Sequence, residues 1–124
     1  MLIRPRKIVV AGFDQITCDA LAAAIGMRAV DEVLWQQWYN PANSDKLDAD
    51  VDVIVVSAYF RENSNLLRIR VRDIALANSH AKIVVAAGGV KSGRLDAHAV
   101  VHSPSLEELA EAIKPLLPSG TIDA

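Results

Sequence analysis

Residues 52–59, Asp-Val-Ile-Val-Val-Ser-Ala-Tyr, form a β-branched run broken only at its ends. A stretch of this length is too short for a surface helix and too apolar for the rim of a sheet. It reads as a central strand covered on both faces. Two sibling runs, KIVVAG at Lys7 to Gly12 and KIVVAAG at Lys82 to Gly88, have the same character and also end in small residues. Helical patterns separate the three, so they define a parallel α/β sheet whose carboxyl ends are where a site belongs.

Upstream of the central run, Met1 to Arg6 is a short basic lead-in, and Pro5 precedes the first strand, where its missing N–H does least harm. Asp14 is placed to cap a helix over residues 15–25 with Ile16, Ala20, Leu21, Ala24 and Ile25 on its apolar face, and Gly26 ends it. Residues 29–38 hold a second strand, VLWQQW, with Val33 and Trp35 on one side and Leu34, Gln36 and Trp38 on the other. Its polar interruptions suit an edge. The Pro, Asn, Ser and Asp cluster at 40–50 leaves room for a short helix at most.

Downstream, residues 63–78 carry a helical pattern whose apolar positions are Leu66, Leu67, Ile69, Val71, Ile74, Ala75 and Leu76. Arg68, Arg70 and Arg72 alternate with apolar residues, spread around that helix and read as a solvated face. Gly88 to His98 contains three glycines and has space for one or two helical turns, so a fourth helix is short or missing. A fifth strand follows at residues 99–102. Ser105-Leu-Glu-Glu108 is a capping box that opens an amphipathic helix through Leu106, Leu109, Ala112, Ile113 and Leu116. These patterns imply one domain over residues 1–118 and a flexible tail over 119–124.

Composition narrows the function classes. The 124 residues are 52% hydrophobic and 23% charged, enough for a core without staples. The net charge of −2 argues against nucleic acid or an anionic membrane as a general partner. Cys18 stands alone and reads as a small core residue, so no disulfide framework exists. No apolar run approaches a membrane span and the opening MLIRPRK lacks the core of a signal peptide, so the expected location is cytoplasmic.

The layout resembles the receiver domain of bacterial response regulators. The likeness is carried by residues 99–109, AVVHSPSLEEL, and by residues 52–57, DVIVVS, with an interval of about thirty residues from there to the end of the fourth strand. It implies a three-layer, doubly wound, five-stranded parallel sheet of flavodoxin-like order 2-1-3-4-5. Receiver chemistry uses acidic residues after strand one to hold Mg²⁺, an aspartate after strand three to accept phosphate, a hydroxyl after strand four and a lysine after strand five. The ion and the lysine neutralise the transferred group. At those places this sequence has Ala11 and Gly12, then Ser57, Ala86 and His102. Asp14 is the sole carboxylate near the first loop. The resemblance therefore implies a degenerate, pseudo-receiver-like domain.

Sharper chemistry finds little support. Ser57, His102 and Asp14 would converge as a hydrolase triad, but Ser57 lacks a Gly-x-Ser-x-Gly elbow. Gly88 and Gly89, with Phe13 and Tyr59, could admit a phosphate or flat cofactor at the sheet edge. Yet the first turn has neither a dinucleotide glycine pattern nor a histidine that would serve cobalamin. His80, His98 and His102 have no metal spacing. Trp35, Trp38 and Tyr39 on an edge strand form a candidate partner surface. The expectation is a signalling module without catalysis, cofactor or metal that acts through a protein partner, a second copy of itself among the candidates. The alternative is a flavodoxin-like domain binding a small molecule of the nucleotide, flavin or cobalamin class at the carboxyl edge.

Overall fold

The computed structural model describes residues 2–12, 14–36, 51–57, 64–87, 97–101, 105–118 and 121–122. In chain order the elements are β1 (Leu2–Ile3), β2 (Lys7–Ala11), α1 (Gln15–Ile25), β3 (Glu32–Gln36), β4 (Val53–Ser57), α2 (Ser64–Ala77), β5 (Lys82–Ala86), β6 (Ala99–Val101), α3 (Leu106–Ile113) and β7 (Thr121–Ile122). A 3-10 turn at Lys114–Leu116 follows α3, where Pro115 cannot donate the next helical bond.

The three β-branched runs sit side by side because only a doubly covered sheet can bury them. The main sheet has the order β3-β2-β4-β5-β6, all parallel. Counted along the five main strands this is 2-1-3-4-5, as the receiver resemblance implies. Ile8, Val10, Val53, Val55 and Val84 point to the layer holding α1 and α3 and pack with Cys18, Leu21, Leu109 and Ile113. Val9, Ile54, Val56, Ile83 and Val85 point to the opposite layer, against Leu67, Val71 and Ile74 of α2. Successive strand residues thus feed two cores, which explains why these strands read as continuous apolar runs. The segment where a short or missing fourth helix is expected, residues 88–96, lies outside the described residues.

Two helix faces differ from the sequence reading. In α1 the stripe that meets the sheet is Cys18, Leu21 and Ile25, while Ile16 is 81% exposed. Ile16, Ala20 and Ala24 form an i, i+4, i+8 row that slants out of the core: Ala24, partly buried, still packs against it, whereas Ile16 does not. In α2 the buried stripe is Leu67, Val71 and Ile74, extended by Asn78, whose Nδ2 donates to the Ile74 carbonyl at 3.1 Å. Ile69 and Leu76 lie on the opposite side, 46% and 73% exposed.

The helix ends follow local chemistry. Gly26 takes the left-handed conformation, φ 84°, and donates to the Ala22 and Ala23 carbonyls to close α1. The Ser105 hydroxyl accepts from the Glu108 N–H at 3.1 Å and opens α3. One pairing was not read from the sequence: β7 runs antiparallel to β1, with Leu2 opposite Ile122 and Ile3 opposite Thr121.

Candidate functional site

In this strand order the chain leaves β2 and β4 toward opposite faces, since α1 covers one and α2 the other. Their carboxyl ends border the crevice where doubly wound sheets place ligands. The register that sets Ala11 beside Val56 carries Gly12 on to Ser57, and Ser57 in turn pairs with Ala86. Gly12, Ser57 and Ala86 therefore share one edge.

Gly12 sits at φ 86°, in the region that L side chains rarely adopt. A Cβ placed there would lie 3.0 Å from the Ser57 Cβ and 3.4 Å from the Ser57 carbonyl oxygen. Between these two strand ends there is no room for a side chain at position 12. Ala11 and Ala86 are buried and offer no polar atom. Asp14 is exposed, and its Oδ1 accepts from the Thr17 N–H at 2.6 Å as the cap of α1. Hydrogen bonds from Thr17, the side chain first and the backbone second, hold the Asp14 carboxyl below the usual range.

A cation reaches this edge from α2. The Nη2 of Arg70 donates to the Ser57 carbonyl at 3.4 Å, and the residue is half-buried. This corrects the reading of Arg68, Arg70 and Arg72 as solvated residues spread around the helix: Arg68 and Arg72 are exposed, whereas Arg70 turns toward the strand end. Its position just before buried Val71 and three after buried Leu67, on the shoulder of the apolar stripe, was the available clue.

Carboxylates gather at the other end of the sheet. Asp31 has no exposed side-chain surface and accepts from the Arg6 N–H at 2.8 Å, Arg6 Nη2 at 2.9 Å, the Arg28 N–H at 2.8 Å and Arg28 Nη2 at 2.7 Å. The Arg28 guanidinium above all, with both backbone N–H groups and Arg6, keeps the Asp31 carboxyl far below the usual range against the opposing effect of burial. Asp52 accepts from Arg4 Nη2 at 3.0 Å and from the Lys7 N–H at 2.9 Å. The amino edge is therefore held by carboxyl groups bonded to arginine side chains and backbone N–H groups. These are structural contacts that the reading of Met1 to Arg6 as a plain basic lead-in missed.

The fold family of such sheets raises the question of a divalent ion. The described residues at the carboxyl edge do not fit one, because Ala11, Gly12 and Ala86 supply no side-chain oxygen and the lone Asp14 is committed to a helix cap. Among the described residues no group of three or more His, Cys, Asp or Glu is placed to hold a metal.

No family model matches the chain, and no curated protein matches it in sequence. In structure it is similar to a response regulator from Thermotoga maritima, with a TM-score of 0.56, 20% identity, and 90% of this chain and 97% of that chain covered. The fold is receiver-like.

Within that receiver-like sheet the structure brings together Ala11, Gly12, Ser57 and Ala86, with Asp14 at the adjoining helix start. Trp35 lies on β3, an edge strand, 37% exposed. Phe13, Trp38, Tyr39, Tyr59, Gly88, Gly89 and His102 lie outside the described residues. Among the described residues no helix is long and apolar enough to cross a membrane.

Proposed function

We propose that this receiver-like domain is a signalling or regulatory module that does not accept a phosphoryl group, performs no catalysis, and acts through protein contacts. The observation that carries the reading is the approach of Gly12 to Ser57. Where a receiver needs an acidic side chain, this chain has a glycine at positive φ with a serine Cβ 3.0 Å from the space a side chain would fill. Ser57 stands at the acceptor position, Ala86 at the hydroxyl position and Ala11 at the first acidic position. None supplies the charge that would hold Mg²⁺ beside a phosphoryl group.

Incubation with acetyl phosphate, or with beryllofluoride, in the presence of Mg²⁺ tests this. The expected outcome is an unchanged intact mass and unchanged amide spectra at Gly12 and Ser57. A phosphorylated residue, or a beryllofluoride shift confined to that edge, would overturn the proposal.

A second reading is favoured by Arg70. A guanidinium beside the strand reversal suits the anionic part of a small molecule, which keeps a nucleotide or flavin ligand in view. Thermal-shift measurements with nucleotides, flavins, cobalamin and sugar phosphates address it. A saturable shift abolished by Arg70→Met supports it, and flat responses remove it.

A further inference from the structure

The outward face of α2 is the least expected surface of the molecule. Ile69, Arg72, Asp73 and Leu76 fall at positions i, i+3, i+4 and i+7, so they share one side of the helix, opposite the buried stripe of Leu67, Val71 and Ile74. All four are exposed, and the two apolar members are 46% and 73% so. Among the described residues neither Arg72 nor Asp73 has an intramolecular side-chain bond. Two large apolar residues exposed on one side of a helix, with opposite charges between them, form a patch that a surface of matching pattern would cover.

The pattern also specifies what covers it. The midpoint between Ile69 and Leu76 is the midpoint between Arg72 and Asp73. A second α2 laid antiparallel across a two-fold axis through that point sets Ile69 against Leu76 of the other copy, and Arg72 against Asp73 of the other copy. The operation then repeats both contacts in reverse. Such self-complementarity is the requirement of an isologous interface, in which one patch serves both sides. A parallel arrangement would oppose like charges. We infer that α2 is a homodimerisation helix, pairing antiparallel with its counterpart through Ile69, Arg72, Asp73 and Leu76.

The contact is small. A helix of 14 residues is about 21 Å long, and one helix pair buries less than the roughly 800 Å² per partner of a standard interface. The association is therefore weak and concentration-dependent, with half-dimerisation expected at about 10–100 µM. The inference concerns a helix face remote in role from Gly12 and Ser57 and does not depend on phosphoryl chemistry being absent.

Sedimentation velocity on the full chain from about 5 to about 500 µM tests it. The mass should rise from one chain toward two across this range. Leu76→Glu should hold the chain monomeric throughout, with Leu76→Lys as the second variant should the first lose its far-UV dichroism. Arg72→Glu and Asp73→Arg should each weaken association about tenfold or more. The double reversal R72E/D73R should restore it, because the antiparallel pair is regenerated with its signs exchanged. One chain mass at every concentration overturns the inference, as does a dimer that survives both Leu76 variants or charge reversal without rescue. The acetyl phosphate measurement reads a different edge, so either proposal can fail while the other stands.

Discussion

Gly12 and Asp31 are both tightly constrained by their surroundings, and they sit at opposite ends of the sheet. Gly12 combines positive φ with the Ser57 Cβ 3.0 Å from where a side chain would begin. Gly12→Ala should therefore lower stability by about 1–3 kcal/mol, read from the urea midpoint. An unchanged midpoint would mean that this edge gives way easily. Asp31 is governed by charge: its carboxyl is held far below the usual range by Arg28, the two backbone N–H groups and Arg6. A carboxyl depressed on folding contributes stability that is complete above its unfolded value of about 3.9 and is lost as the pH falls toward the folded one. The urea midpoint should thus decline as the pH is lowered through about 4 and below. Asp31→Asn should cost about 1–3 kcal/mol at neutral pH, because two partly exposed guanidinium groups lose their counter-charge, and should flatten that decline. An equally steep acid limb in the variant would assign the pH dependence elsewhere. Neither constraint was legible in full, although Arg28 stands only three positions before Asp31. Asp31 meets Arg6 across 25 positions, and only the strand register brings them together.

Among the elements, the strands were the most readable because burial on both faces leaves no polar alternation to misinterpret. The runs beginning at Lys7, Asp52 and Lys82 became β2, β4 and β5, with starts within a residue. Helix termini were nearly as readable, since Asp14, Gly26 and Ser105 act through their immediate neighbours. Ser105→Ala should remove about 1 kcal/mol and speed amide exchange in the first turn of α3, leaving β2 and β4 unaffected. Protection lost evenly across the sheet would argue instead that α3 folds with it as a single unit. Helix faces were less readable because apolar content exceeded what one layer can cover. The seven apolar positions of α2 include Leu67, Val71 and Ile74, which meet the sheet, and Ile69 and Leu76, which do not. The surplus is the property on which the proposed dimer rests. At the carboxyl edge the neutral residues could be read directly, whereas Arg70 needed the helix placed against the strand before its reach to Ser57 was visible.

Across the whole molecule, charge is distributed unequally between the ends of one sheet. Asp31 and Asp52, bound by Arg4, Arg6 and Arg28, tie the lead-in and the β3 start to the amino edge, while the described carboxyl edge offers Gly12, Ser57, Ala86 and a single guanidinium. The pairing of β1 with β7 is only two residues long and should add little. Removing residues 119–124 should lower the unfolding free energy by less than about 1 kcal/mol, by chemical denaturation. A loss above about 2 kcal/mol would place that short ladder within the cooperative unit. Its geometry nonetheless has an outcome for how the domain can be wired. Leu2 lies opposite Ile122, and Arg4 and Arg6 anchor the following residues beside Asp52 and Asp31. Polypeptide joined ahead of one and behind the other would emerge from a common corner, away from Ser57, so the domain could be spliced into a host protein's loop as a cassette without its tethers crossing the candidate pocket.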